Sequence, residues 1–424
     1  MIYLRLVGHD FQYEIEDVLR LFFRDEKVSL VQEDGFDFTD GIYIKNALAK
    51  KDIDGKVVFE LNTYLKGPIG EAISLTHDIA EIMEPEESYE ARKAIKKEIK
   101  RQVYMAVSQY TGKEMPWGVL TGIRPAKIVH EMLDKNFDRE RIFERLKNYY
   151  FLSDGKAAIV YDIAMSEKAI LDNSKRDMVS VYIGIPFCPT RCLYCSFTSN
   201  PIKKYEKLVE SYMAALTQEI RSVGEIIRDK NLKIQSIYIG GGTPTSIDAH
   251  YLGTLLKEVE SNFNFDFVEE YTLEAGRPDS ITVEKLQTIA QSKVNRISIN
   301  PQTMRDETLL RIGRSHTSAD IIEAFNMARE LKFDNINMDV IAGLPGSNLE
   351  DFVKTIDEIG GLGPESVTVH TMAIKRASRL NEDKENYSLT SGNEVAQMVD
   401  AAYDILTKMG LEPYYLYRQK NMLG

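Results

Sequence analysis

The 424 residues are 43% hydrophobic, ample for two or three domains with a large core. Acidic residues outnumber basic ones 65 to 53, and the basic cluster from Lys93 to Arg101 shares its helix with Glu90 and Glu98, a solvated face rather than a nucleic-acid patch, so nucleic acid is not an expected partner. The start, M-I-Y-L-R-L-V-G-H-D, lacks a signal peptide's apolar core, and no apolar run approaches bilayer length. With only three cysteines, all free of any second set, the expectation is a cytoplasmic protein without a membrane span.

In chain order, Met1 to Val7 predicts a short strand and Tyr13 to Arg24 a helix, through Ile15, Val18, Leu19 and Phe22. Strands follow at Val28 to Gln32, Gly41 to Ala47 and Lys56 to Asn62. They are punctuated by turns at Asp34-Gly35, Asp40-Gly41 and Asp54-Gly55. A long helix from Glu86 to Tyr110 leads into P-W-G-V-L-T-G-I-R-P-A-K (Pro116 to Lys127), where the only tryptophan is expected to anchor the helix to the strands. Helical patterns then run to about Asp172. Residues 1–172 thus read as a small α+β domain with a helical appendix.

From Val179 the rhythm becomes strand, helix, strand, helix. Strands are predicted at Val179 to Phe187, Ile234 to Ile239, Glu270 to Ala275, Arg296 to Ile299, Ile336 to Ile341 and Ser366 to Ala373. The helices between them are Tyr205 to Ile227, Tyr251 to Phe263, Val283 to Ser292, Ser318 to Leu331 and Leu349 to Ile359. Such alternation makes a parallel sheet, an open barrel or a doubly wound one, with the site at the carboxyl ends of its strands. Those ends carry G-G-G-T-P (Gly240 to Pro244), Glu274 in L-E-A-G-R-P, Gln302 in N-P-Q, and Asp339 before A-G-L-P-G. Glycines there let backbone approach a ligand. Arg314 offers a fixed cation for a carboxylate. Each residue alone is explained as well by satisfied loop amides; together they line one mouth.

All three cysteines lie on the loop after the first of these strands, as Cys188, Cys192 and Cys195 in C-x3-C-x2-C. A closed zinc site needs four ligands, and no histidine lies within fifty residues on either side. Disulfides have no sensible pairing among three crowded thiols. Ferredoxin-type 4Fe-4S clusters take four cysteines, so three on one loop point to a cluster with one iron left open.

C-x3-C-x2-C after a strand, with Tyr194 just before the last cysteine, resembles the signature of the radical S-adenosylmethionine enzymes. The run Y-I-G-I-P-F-C-P-T-R-C-L-Y-C, then G-G-G-T-P-T, R-I-S-I-N-P-Q-T and I-A-G-L-P-G, is similar to the oxygen-independent coproporphyrinogen III dehydrogenases. E-A-G-R-P and P-W-G-x-L-T-G-I-R-P point to their HemZ-type branch. The resemblance implies an α/β fold: a partial (β/α)6 parallel barrel over residues 173–376, then a C-terminal helical segment, 377–424, ending short of a further domain. It implies a 4Fe-4S cluster on Cys188, Cys192 and Cys195, with S-adenosylmethionine, one molecule or two, on its open iron. Tyr182, Tyr194, Gly241, Gly242, Thr243, Glu274, Gln302, Arg314, Asp339, Ile341 and Ala373 fall at the positions that contact S-adenosylmethionine. No side chain is assigned as an acid, base or nucleophile.

The implied reaction is oxidative decarboxylation of two propionates of coproporphyrinogen III to the vinyl groups of protoporphyrinogen IX, in heme biosynthesis. An adenosyl radical, formed with an electron from a reductant such as flavodoxin or ferredoxin, would abstract a propionate β-hydrogen, and loss of carbon dioxide with transfer of one electron to an acceptor would give the vinyl group. Gly184 stands where related enzymes have histidine in H-I-P-F-C, and the N-terminal region differs from the better-known branch's substrate-contacting leader. Two other readings therefore stay open: a heme-binding or heme-delivery protein of the same superfamily, and a non-catalytic iron-sulfur scaffold.

Overall fold

Alternation of side chains sets the first layer. The computed structural model describes residues 1–24, 26–32, 40–53, 56–79, 88–122 and 124–417, which fall into two compact units, Met1–Lys168 together with the segment from Tyr414, and Ala169–Pro413. In the first, β1 (Ile2–Val7) buries Ile2 and Leu4, and α1 (Gln12–Phe22) buries Ile15, Val18 and Leu19 on one helical stripe. β2 (Val28–Leu30), β3 (Ile42–Ile53), β4 (Lys56–Lys66) and β5 (Ile73–Ile79) complete a sheet of order β2-β1-β3-β4-β5. β1 runs parallel to β2 and β3, and β3, β4 and β5 are antiparallel. β5 was not expected, because its outward positions are polar and its inward ones few. Of the expected turns, Asp34-Gly35 and Asp54-Gly55 lie outside the described residues, as do the first residues of the helix expected from Glu86.

α2 (Tyr89–Thr111) starts where the Ser88 side chain accepts the Ala91 N–H and stops at Gly112, whose φ of +64° ends the helix. Its Ile95, Ile99, Val103 and Val107 share a core with Ile44, Leu61 and Leu65. α3 (Pro125–Leu133), α4 (Arg139–Glu144), one π-turn and α5 (Asp154–Leu171) build a separate helical core around Val129, Ile142, Leu146 and Val160. Trp117 packs at the edge of that core and pairs through its backbone with Leu152. It therefore anchors the helical appendix, not α2 against the strands as expected.

The second unit begins with β6 (Met178–Ile185); Pro186 lacks an N–H and interrupts the ladder before β7 (Phe187–Cys188), which pairs with β8 (Asn200–Pro201). Then come α6 (Ile202–Asp229), β9 (Lys233–Gly241), α7 (Ala249–Asn262), β10 (Glu270–Gly276), α8 (Val283–Ala290) and β11 (Arg296–Gln302). α9 (Asp306–Arg311), α10 (Ser318–Glu330), β12 (Ile336–Ala342), α11 (Leu349–Leu362), β13 (Ser366–Thr371), α12 (Arg379–Glu382) and α13 (Gly392–Lys408) follow. The six long strands are parallel, in the order β6-β9-β10-β11-β12-β13.

A doubly wound sheet requires a reversal of strand order, and this order has none. With right-handed crossovers every helix falls on one face and the sheet curls into a partial barrel. Ile237, Ile239, Leu273, Ile297, Ile299, Met338 and Val340 are buried under those helices. The alternate residues on the face the helices leave uncovered are polar: Tyr238, Glu274, Ser298, Asn337, Asp339 and Thr368. α13 closes the unit by packing Val395, Met398 and Ala402 into the same core. Among the described residues no helix is long and apolar enough to cross a membrane.

Candidate functional site

The cysteine loop leaves β6 at the carboxyl edge of the sheet and is tied down on several sides. Gly242 and Thr243 donate their N–H groups to the carbonyls of Ile185 and Phe187, both at 2.7 Å. The Thr243 hydroxyl lies 3.5 Å from Cys188 Sγ. A Cβ on Gly242 would stand 2.5 Å from the Phe187 oxygen and 3.0 Å from Cys188 Sγ. The glycine required at 242 is therefore explained by contact with the cysteine strand itself, a different reason from the close ligand approach expected of G-G-G-T-P. Leu193 N–H donates to Ile312 O, Leu380 N–H to Leu193 O, and the Arg191 guanidinium to Ala377 O.

The thiols of Cys188 and Cys192 are buried, and that of Cys195 is half-buried. Burial pushes the Cys188 thiol up to about 11, against the hydrogen bond from Thr243. A thiolate there needs positive charge to hold it. Two buried guanidinium groups supply it beside Cys192. Arg277 Nη1 is 3.9 Å from the sulfur, and Arg314, near enough to act on it electrostatically, donates to Asn300 O and, at 3.3 Å, to the Tyr194 hydroxyl. Among the described residues no three His, Cys, Asp or Glu side chains converge on one ion. A cubane instead takes each thiolate on a separate iron, and three free thiols on one cation-backed loop fit that donor set.

Beside the loop runs a row of polar side chains on neighbouring strands. Tyr182 is opposite Tyr238, and their rings stack at 5.7 Å with 9° between planes. The Tyr238 hydroxyl donates to Glu274 at 2.7 Å. Burial pushes the Glu274 carboxyl up to about 7, opposed by Tyr238 and the Gly241 amide and reinforced by Asp339. Asp339 accepts from Asn337 at 2.7 Å and lies 3.7 Å from His370 Nε2. Gln302 ends β11 at a register shift with φ of +71°, a left-handed conformation that non-glycine residues seldom adopt outside constrained sites. Ile341 is buried opposite His370, and Ala373 follows the last strand just beyond the Met372 N–H bond to Ala342.

Of the residues singled out in the sequence, Cys188, Cys192, Tyr194, Gly242, Thr243 and Arg314 thus meet at the loop. Tyr182, Gly241, Glu274 and Asp339 belong to the row, and among the described residues no side-chain hydrogen bond or ion pair ties Gln302, Ile341 or Ala373 to either. Sequence reading missed Tyr238, Asn337 and His370, although strand alternation places them on the same face as Glu274 and Asp339. It also missed Arg277, visible only as the arginine of E-A-G-R-P.

The Radical SAM superfamily pattern matches residues 182–359. The oxygen-independent coproporphyrinogen-III oxidase-like protein HemZ of Bacillus subtilis (strain 168) is 41% identical over 338 residues, covering 79% of this chain and 68% of that protein. The chain belongs to the HemZ-type branch of the radical S-adenosylmethionine superfamily. The cofactors of this HemZ-type protein are a 4Fe-4S cluster and S-adenosylmethionine. The heme chaperone HemW of Bacillus subtilis is 35% identical over 199 residues, 47% of this chain, which spans about half (51%) of that relative. Among solved structures, coproporphyrinogen III oxidase (HemN) from Escherichia coli aligns with a TM-score of 0.48 at 26% identity, over 59% of this chain and 56% of that one.

Proposed function

We propose that this HemZ-type protein oxidatively decarboxylates coproporphyrinogen III to protoporphyrinogen IX. The observation that carries the reading is the junction at Gly241 and Gly242, where a cation-backed thiol loop abuts a half-buried acidic row at the strand ends. The name of the HemZ relative, coproporphyrinogen-III oxidase-like, supplies the substrate class. Cys188, Cys192 and Cys195 hold the cluster. Tyr182, Tyr194, Gly241, Gly242, Thr243, Glu274, Gln302, Arg314, Asp339, Ile341 and Ala373 line the S-adenosylmethionine pocket.

When bound, the cluster and S-adenosylmethionine supply a carbon-centred radical able to take a hydrogen from a propionate β-carbon. The protein's part is orientation and exclusion of water. Glu274 and Asp339 face a positively charged ligand with carboxylates, and Arg314 is the buried cation for a ligand carboxylate. This chemistry requires a one-electron donor protein, flavodoxin or ferredoxin, for the cluster, and a one-electron acceptor for the electron that the propionate radical releases as carbon dioxide leaves.

A second reading, heme binding and delivery, is favoured by the HemW relative and by Gly184 in the place of a histidine. Anaerobic reconstitution with iron and sulfide, followed by dithionite, S-adenosylmethionine and coproporphyrinogen III, separates the two. The decarboxylase yields 5'-deoxyadenosine together with vinyl product. 5'-Deoxyadenosine without vinyl product, alongside stoichiometric hemin binding, favours delivery, and neither signal from a cluster-loaded protein sinks the radical reading.

A further inference from the structure

Arg277 has no role in the pocket assigned above, yet it is among the most buried charged side chains of the barrel unit, 3% exposed. It follows Gly276, whose φ of +70° turns the chain sharply after β10 and aims the next side chain back at the cysteine loop. Nη1 donates to the Thr190 hydroxyl at 2.7 Å and the Thr190 carbonyl at 3.2 Å, and reaches 3.9 Å from Cys192 Sγ. The Thr190 hydroxyl donates onward to Gly313 O at 2.9 Å. On its other edge the guanidinium is bidentate to Asp279, Nε to Oδ1 at 2.9 Å and Nη2 to Oδ2 at 2.6 Å. His316, also buried, stands behind that carboxylate with Nδ1 3.6 Å from Oδ1. Burial would raise the Asp279 carboxyl, but His316 and Arg277 hold it well below the usual carboxylate range, so it is ionised.

Two guanidinium groups therefore flank one sulfur, in different electrical states. Arg277 is neutralised by Asp279; Arg314 is bonded to a carbonyl and a hydroxyl and has no carboxylate partner among the described residues.

We propose that Arg277 and Asp279 form a positioning and charge-setting pair for the cluster, Arg277 fixing the Thr190 turn and the Cys192 sulfur while Asp279 limits the positive charge that sulfur feels. Reduction adds an electron to the cluster and its thiolates. A buried cation within reach of a thiolate stabilises the reduced form more than the oxidised form and raises the potential. A carboxylate on that cation's far edge acts in the opposite sense. Lysine would restore the charge but not the fork that holds Thr190 and Asp279 together. The inference rests on Cys192 being a cluster ligand, as proposed above.

The test is a potentiometric titration of anaerobically reconstituted wild type, R277Q, R277K and D279N, followed by cluster absorbance and electron paramagnetic resonance, with iron and sulfide measured on each. The potential is expected to fall in R277Q and rise in D279N, each by at least about 59 mV, a tenfold change in the one-electron equilibrium. R277K should lie between R277Q and wild type. A purely structural role would not give shifts of opposite sign, so equal potentials or same-sign shifts overturn the proposal. Should R277Q fail to retain a cluster, D279N decides, a rise supporting the pair and no rise overturning it. A wild type that takes up no cluster instead defeats the ligand assignment, and this inference with it.

Discussion

The cysteine loop and the polar row of the strand ends adjoin each other at Gly241 and Gly242, yet they are built on opposite charges. The loop sets buried guanidinium groups, Arg277 and Arg314, beside a sulfur. The row sets two half-buried carboxylates, Glu274 and Asp339, near half-exposed His370, whose pKa Asp339 raises against the effect of burial. A centre that gains an electron is served by cations, and a ligand carrying a positive sulfonium is served by carboxylates. Under the proposed function the thiol loop serves the redox group and the acidic row the sulfonium end of the ligand delivered to it, with Arg314 at the seam for that ligand's carboxylate.

The sharpest break in that comparison is C192A. It removes the sulfur beside the two guanidinium groups and with it one of the three thiolates proposed to hold the cluster, so loss of the cluster is the expected result. Iron and sulfide analysis with cluster absorbance reads it, and a persistent cluster would contradict the ligand role of Cys192.

G242A tests the seam between the halves. Its Cβ meets the Phe187 oxygen at 2.5 Å and the Ile185 oxygen at 2.9 Å, both backbone atoms that cannot swing aside. Overpacking of this kind costs about 1–3 kcal/mol, read as a lowered denaturation midpoint with poorer cluster retention. The control is G361A, at a helical position with nothing within 4 Å, which should leave the midpoint unchanged or raise it.

The smallest effect sharpens the acidic half alone. Burial pushes the Glu274 carboxyl up to about 7 in the folded chain from its ordinary 4.5, so between those values the folded state binds more protons than the unfolded one. Its contribution is fully present below the unfolded value and is lost as pH rises through about 7. Wild type should therefore lose stability relative to E274Q between about pH 5 and about pH 8, on the order of 2 kcal/mol. Y238F removes a hydrogen bond that favours the ionised form and should enlarge that loss by about 1 kcal/mol. Paired denaturation curves at the two pH values measure both, and a wild type that gains on E274Q with rising pH would show that Glu274 is not buried as described.

Much of this protein was legible in local chemistry. The three cysteines are close in sequence, so one loop must carry them wherever it lies, and their spacing spoke directly of a cluster. The strand and helix rhythm from Val179 onward was equally local, since alternation and helical stripes are properties of short windows. The order of the strands was not. An open barrel and a doubly wound sheet share the same alternation, and only the hydrogen-bonded order β6-β9-β10-β11-β12-β13 separates them.

That order also decided which alternate residues the helices cover, and so brought Tyr238, Asn337 and His370 beside Glu274 and Asp339. Gly242 reads in sequence as an opening for a ligand; in the fold it meets the Phe187 carbonyl across 55 residues of chain. Arg277 is only the arginine of E-A-G-R-P in sequence, 85 positions from the sulfur it approaches in the fold. Spacing along a chain determines which donors travel together, but the field around them is set by residues distant in sequence, and those meet only when the sheet closes.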